Sequence, residues 1–193
     1  MSPSLLWLRQ DLRVSDHPAL LAAIADGPVI PVYVLDDDGP GEWRIGGAQR
    51  WWLHHSLTAL DQSLRKRGNA LVLRRGPAAA QLLALAEETG ARRIHAIHHY
   101  EPWHKAAEAA VAARIELVLH DGNYLAPPET IRNGQGERYR VFTPWYRRLL
   151  ETVAPGEPLP APEAIPAPDA MPASNALADW GLLPTRPDWA SGF

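Results

Sequence analysis

Ser4-Leu5-Leu6-Trp7-Leu8-Arg9-Gln10-Asp11 is the stretch from which the rest of the sequence can be read. Four large apolar side chains in a row are followed at once by a guanidinium, an amide and a carboxylate. The run is too short for a helix of ordinary length and far short of the roughly 20 apolar residues of a membrane span. It carries no polar alternation either, so it fits a strand covered on both faces, the situation of a parallel sheet. No basic segment precedes it, and Arg9 interrupts it before it could serve as the apolar core of a signal sequence.

Working outward, similar short apolar runs recur at residues 29–35, 70–73, 93–98 and 115–119, giving with 4–8 five predicted strands. Amphipathic stretches separate them. Over residues 48–67, Leu53, Leu57, Leu60 and Leu64 fall on one stripe, which predicts a helix with that stripe against the sheet. A second helix is predicted over 78–89, with Leu82, Leu83 and Ala86 inward and Gly90 as its stop, and a third over 102–114, opened by Pro102. Strands alternating with helices define the fold class: α/β, a Rossmann-like doubly wound five-stranded parallel sheet of order 3-2-1-4-5 with helices on both faces. The α/β domain is expected over residues 1–153. From 154 to 193 prolines crowd the chain, and this segment is expected to be a Pro-rich linker on which Trp180 and Trp189 seek a surface to dock against.

Composition narrows the function classes. A formal net charge of -3 gives no broad attraction for phosphate, so any nucleic-acid contact must be local or made elsewhere. The absence of cysteine removes disulfides, thiolate nucleophiles and cysteine metal sites, and fits a cytoplasmic location without membrane attachment. Paired cations at Arg65-Lys66-Arg67, Arg74-Arg75 and Arg92-Arg93 lie near element ends and read as solvated termini.

In an open parallel sheet, ligands bind beyond the carboxyl ends of the strands where strand order reverses. The first strand ends at Arg9, the second at Asp36-Asp37-Asp38, and the fourth at His98-His99-Tyr100-Glu101. Order 3-2-1-4-5 makes these three ends neighbours around one crevice. Carboxylates there could accept from ring N–H or hydroxyl donors while Tyr100 and Trp103 offer apolar surface, although three aspartates after a strand also suit a solvated turn. No phosphate-binding glycine signature follows the first strand, and no nucleophile elbow occurs. No metal is expected from the histidine spacing: His95 and His98 would face opposite sides of a strand, and no H-E-x-x-H pair is present.

Four segments add a resemblance. Leu6-Trp7-Leu8-Arg9-Gln10-Asp11-Leu12-Arg13-Val14-Ser15-Asp16-His17-Pro18-Ala19-Leu20 resembles the opening motif of the photolyase/cryptochrome family. Val29–Asp36, Trp51–Leu57 and Tyr139–Tyr146 are similar to its second strand, second helix and final domain segment, with a linker-like match over Leu182–Trp189. The resemblance implies an N-terminal domain that can hold an antenna chromophore, no catalytic residues of its own, and a separate helical domain that binds FAD and engages damaged DNA. In that picture the chain alone does not bind FAD and is inactive. It also implies Asp36 and Glu101 as antenna contacts, with Asp37, Asp38, Lys105, Arg9 and Tyr100 as further candidates. Family members that hold a folate tend to carry an amide and a carboxylate after the Tyr-Glu pair, where this chain has Trp103 and His104; a deazaflavin or flavin-like antenna is therefore expected over folate. Leu8 and His17 stand where phenylalanine and asparagine are usual.

The function so implied is the antenna domain of a deoxyribodipyrimidine photolyase, which splits cyclobutane pyrimidine dimers with light. Alternatives are the same domain of a cryptochrome photoreceptor, or a stand-alone nucleotide-binding Rossmann-like domain, which the missing glycine signature disfavours.

Overall fold

The computed structural model describes residues 2–192. Its strands are β1 (Ser4–Leu8), β2 (Val29–Leu35), β3 (Val72–Arg75), β4 (Arg93–Ile97) and β5 (Glu116–His120). All pair in parallel in the order β3-β2-β1-β4-β5. Five helices follow: α1 (Pro18–Asp26), α2 (Gly47–Arg65), α3 (Ala78–Thr89), α4 (Pro102–Ala112) and α5 (Phe142–Thr152).

Alternation along β1 divides the core. Leu6 and Leu8 pack with α1 and with Leu53, Leu57, Leu60 and Leu64 of α2, while Leu5 and Trp7 pack with Leu82, Leu85 and Ala86 of α3 and Val111 of α4. The leucine stripe of α2 is wholly buried as the 3.6-residue period requires. In α3 the buried partner of Leu82 and Ala86 is Leu85, not Leu83, because the helix presents its i, i+3, i+4 face. Gly90 ends α3 in the left-handed conformation at φ 68°, where a side chain would be strained.

The α1 start is built from histidine. His17 Nδ1 accepts from the Leu20 amide at 3.1 Å, and its Nε2 lies 3.0 Å from Asp11 Oδ2. With Nδ1 accepting and Nε2 turned to the carboxylate, His17 caps the helix and faces Asp11 at once. Asp11 is almost fully buried. Burial would raise its carboxyl; the neighbouring His17 and His99 rings outweigh that and hold it well below the usual carboxylate range.

Residues 154–192, expected to be a Pro-rich linker on which Trp180 and Trp189 seek a docking surface, are ordered against the α/β domain. They form a strap across the α1/α2 face and put Ile165, Trp180 and Leu182 into the core. Proline lacks a donor but keeps its carbonyl, and the strap uses that: Pro166 O accepts from Val29 N at 2.8 Å and Pro162 O from Arg67 Nε at 2.9 Å. Between the prolines, Ile165 N donates to Arg67 O. At the outer edge of β3, Leu73 N donates to Ser174 Oγ and Leu73 O accepts from Asn175 N, each at 2.9 Å. Those bonds cover groups that an edge strand otherwise leaves open to another chain.

α5 lies outside both core clusters, with only Leu149 buried. Among the described residues no helix is long and apolar enough to cross a membrane.

Candidate functional site

The three neighbouring strand ends open onto one crevice of about 340 Å³, within the roughly 300–1,000 Å³ range of small-molecule sites. Val34, Leu35 and Ala78 line its base, Trp43 and Trp103 contribute aromatic walls, and Arg9, Asp36, Glu101 and His104 supply polar groups. A second depression of about 360 Å³ lies between α2, β3 and the strap; among the described residues its walls hold no aromatic ring.

Asp36 leaves β2 and is largely committed to backbone. Its Oδ1 accepts from Asp38 N at 3.1 Å and Gly39 N at 2.8 Å, while Oδ2 accepts from Ala78 N at 2.9 Å. Pro77, which precedes α3, has no side-chain oxygen to cap it, so Asp36 caps that helix from another strand and favourably meets its positive end. A Cβ on Gly39 would stand 2.8 Å from Asp36 Oδ2, which requires glycine for this tight approach.

Arg9 lines the crevice and is held by three contacts. Its guanidinium donates to Glu108 Oε1 at 2.7 Å and to the Ile97 carbonyl, and lies 4.1 Å over the Trp7 ring. Burial lowers its pKa, and the Glu108 carboxylate opposes that shift. Glu108 also accepts from His99 N at 3.2 Å and lies 3.0 Å from His98 Nδ1, so one buried carboxylate from α4 fixes the turn after β4.

That turn ends at Glu101, the residue capping α4. Burial would raise the Glu101 carboxyl, but nearby backbone N–H groups and the rings of His99 and His104 bring it below its ordinary value. His104 is pushed down to about 4, chiefly by burial and then by the Arg9 charge, which leaves its ring neutral near pH 7.

The structure therefore brings Arg9, Asp36 and Glu101 together on the crevice wall. Asp37 faces away, paired with Arg50 and with Arg75. Asp38 and Lys105 are exposed outside the lining, and Tyr100 packs on His98 and Tyr124 instead. Trp43 was not singled out in the sequence, because nothing marks a loop tryptophan 76% exposed as a wall residue before the sheet is assembled. Glu108 was missed as well. Its signal was its place on the inward stripe of α4, where a carboxylate needs a buried cation.

Fold and crevice together define a doubly wound α/β domain with an aromatic-walled crevice at its topological switch point. The chain belongs to the DNA photolyase family, whose model matches residues 4–164. It is 42% identical over 199 residues to the deoxyribodipyrimidine photo-lyase of Agrobacterium fabrum, covering all of this chain and 41% of that protein. Against cryptochrome-1 of Arabidopsis thaliana it is 35% identical over 167 residues, covering 83% of this chain and 24% of the relative. The crystal structure of a bacterial class III photolyase from Agrobacterium tumefaciens superposes with a TM-score of 0.93 at 41% identity, covering all of this chain and 41% of that one. The chain thus spans about two fifths of the photolyases it matches most fully.

Proposed function

We propose that this chain is the chromophore-holding domain of a deoxyribodipyrimidine photolyase, a protein that reverses cyclobutane pyrimidine dimers in DNA with light. The observation that carries the reading is the aromatic-walled, carboxylate-bearing crevice at the switch point, in a chain aligned over its whole length with a photolyase.

The lining fits a planar heterocycle with polar edges. Trp43 and Trp103 offer ring faces, Glu101 accepts from ring N–H or hydroxyl donors, and Asp36 keeps lone-pair capacity beyond the three backbone amides it holds. Asp37, Asp38, Lys105 and Tyr100 enter only as outer contacts for a ligand reaching past the cavity. A deazaflavin or flavin suits this site better than a folate, given Trp103 and His104 directly after the Tyr100-Glu101 pair. When bound, the antenna supplies light absorption; the residues hold its ring and exclude water.

In this reading residues 1–153 are the antenna domain and the strap from 154 leads toward a helical FAD-binding domain, through which damaged DNA is engaged. The relatives' greater length supports a further domain.

The test uses the protein expressed from its complete gene and reconstituted with a deazaflavin or a flavin. Glu101→Ala is expected to weaken antenna binding about tenfold to a hundredfold, the loss of one charge-assisted hydrogen bond, with FAD retained. Unchanged antenna occupancy near the dissociation constant would remove Glu101 from the site. The 35% identity to a cryptochrome favours a photoreceptor as the second reading. Illumination with a dimer-containing oligonucleotide separates the two: repair identifies a photolyase, and no repair with FAD in place identifies the photoreceptor.

A further inference from the structure

Between the end of β4 and the first turn of α4, the chain gathers His99, Glu101 and His104 so that one ligand-type atom from each lies within 4.8 Å of the other two. His99 is fully buried, with its Nδ1 3.6 Å from Glu101 Oε2 and its Nε2 3.9 Å from Asp11 Oδ1. The His99 and His104 ring centroids are 4.9 Å apart. Glu101 Oε2 is buried without a hydrogen-bond partner. Asn123 Nδ2 lies 3.3 Å from both ring nitrogens of His99.

We propose that His99, Glu101 and His104 form a binding site for a divalent transition-metal ion of the zinc type, with Asp11 orienting His99 from behind. Two imidazoles and one carboxylate are the donors such ions accept, with water in the remaining position. Ligands about 2.0–2.1 Å from a tetrahedral ion stand roughly 3.3 Å apart. The His99–Glu101 pair is already close to that separation at 3.6 Å. Glu101 and His104 are both partly exposed, so side-chain rotation can close the wider separations.

The surroundings match a metal site in a second respect. A ligating histidine usually presents its other ring nitrogen to a carboxylate, which fixes the tautomer. His99 presents Nε2 to Asp11, leaving Nδ1 toward Glu101. Asp11, Glu101 and Glu108 set three carboxylates against one guanidinium, and Arg9 is spent on Glu108. The positive end of α4 works against a cation, which points to moderate affinity. Hard ions such as calcium or magnesium, which seek six or more oxygens, find a single carboxylate. Glu101 and His104 line the crevice, so an ion enters from there.

The inference goes beyond the chromophore reading and is tested without any flavin. The complete protein, stripped with a chelator, is titrated with Zn²⁺ by calorimetry and with Co²⁺ by visible absorption. One ion is expected at this site, with the ligand-field bands of four-coordinate Co²⁺. Glu101→Gln and His104→Ala are each expected to weaken binding about tenfold or more, and Asp11→Asn to weaken it at the lower end of the 10–100-fold range for outer partners. His54→Ala on α2 is expected to leave it unchanged. Circular dichroism checks that each variant is folded, and the near-isosteric Glu101→Gln keeps the test decisive if His104→Ala is not. Absence of saturable uptake by the unaltered protein, or equal uptake by both ligand variants, would overturn the site.

Discussion

Asp36 shows how a single side chain can serve shape and chemistry together. Sequence position after a strand marked it as a ligand contact, but its oxygens first satisfy three backbone N–H groups, closing the turn through Gly39 and capping α3. Hydrogen bonds to a charged group are each worth about 1.5–3 kcal/mol when buried, and less where water competes. Asp36→Ala is therefore expected to lower unfolding stability by about 1–3 kcal/mol, with Asp36→Asn milder because it keeps one oxygen acceptor. Urea denaturation midpoints at constant slope measure this, and an Asp36→Ala midpoint equal to that of the unaltered chain would show the three bonds to be idle. Legibility at this scale follows locality. Asp36 and Glu101 could be found because a parallel sheet places strand ends together. The roles of His17 and Glu108 depend on partners six or more residues away in sequence; the inward stripe of α4 marks Glu108 without naming its partner. The same holds for His99, which lies in the turn after β4.

Among the elements, the helices and strands of the sheet were legible, and of the strap only the docking of Trp180 was. Apolar runs and the leucine stripe of α2 carry their own period, so their burial can be counted before the fold is known. The strap has no period; its order rests on isolated anchors whose partners are set by the finished sheet edge. Trp180 packs 6.1 Å from Tyr33 and is 5% exposed, and Ile165 is 1% exposed. Trp180→Ala should cost about 3–5 kcal/mol and Ile165→Ala about 2–5 kcal/mol, values of core positions. Denaturation midpoints together with limited proteolysis check this: loss of stability with new cleavage within 154–187 is expected, and an unchanged midpoint for Ile165→Ala would reduce the strap to a passive cover. The β4/β5 edge carries a different dependence. His120 stacks on His95, with ring centroids 5.4 Å apart, and burial, followed by the neighbouring His95 and His17, lowers its pKa from 6.5. Below pH 6.5 the unfolded chain takes up a proton that folded His120 resists, so stability is complete above that pH and falls as pH drops toward the lowered value. His120→Gln should flatten this slope in unfolding measured across the same interval; an identical slope would place the dependence elsewhere.

At the scale of the whole molecule, charge decides what the chain can hold unaided. The net charge is -3, and many of its cations are already engaged: Arg9 with Glu108, Arg50 and Arg75 with Asp37, Arg74 with Glu88, and Arg93 with Asp26 and Glu116. The basic pairs seen in the sequence thus do not gather into a stripe that could replace counterions along a duplex. Non-specific DNA binding at physiological salt is typically about 10⁻⁴–10⁻⁶ M even for proteins that possess such a stripe, and its salt dependence scales with the number of phosphates neutralised. The described chain, assayed alone, is therefore expected to bind duplex DNA more weakly than about 10⁻⁶ M, to show a shallow dependence of log affinity on log salt, and not to distinguish dimer-containing from undamaged duplex. Fluorescence anisotropy with both duplexes over a salt series measures all three. A submicromolar dissociation constant for the damaged duplex, with a steep salt slope, would show that cations on this domain engage the backbone directly and would move the DNA-binding surface onto the α/β domain itself.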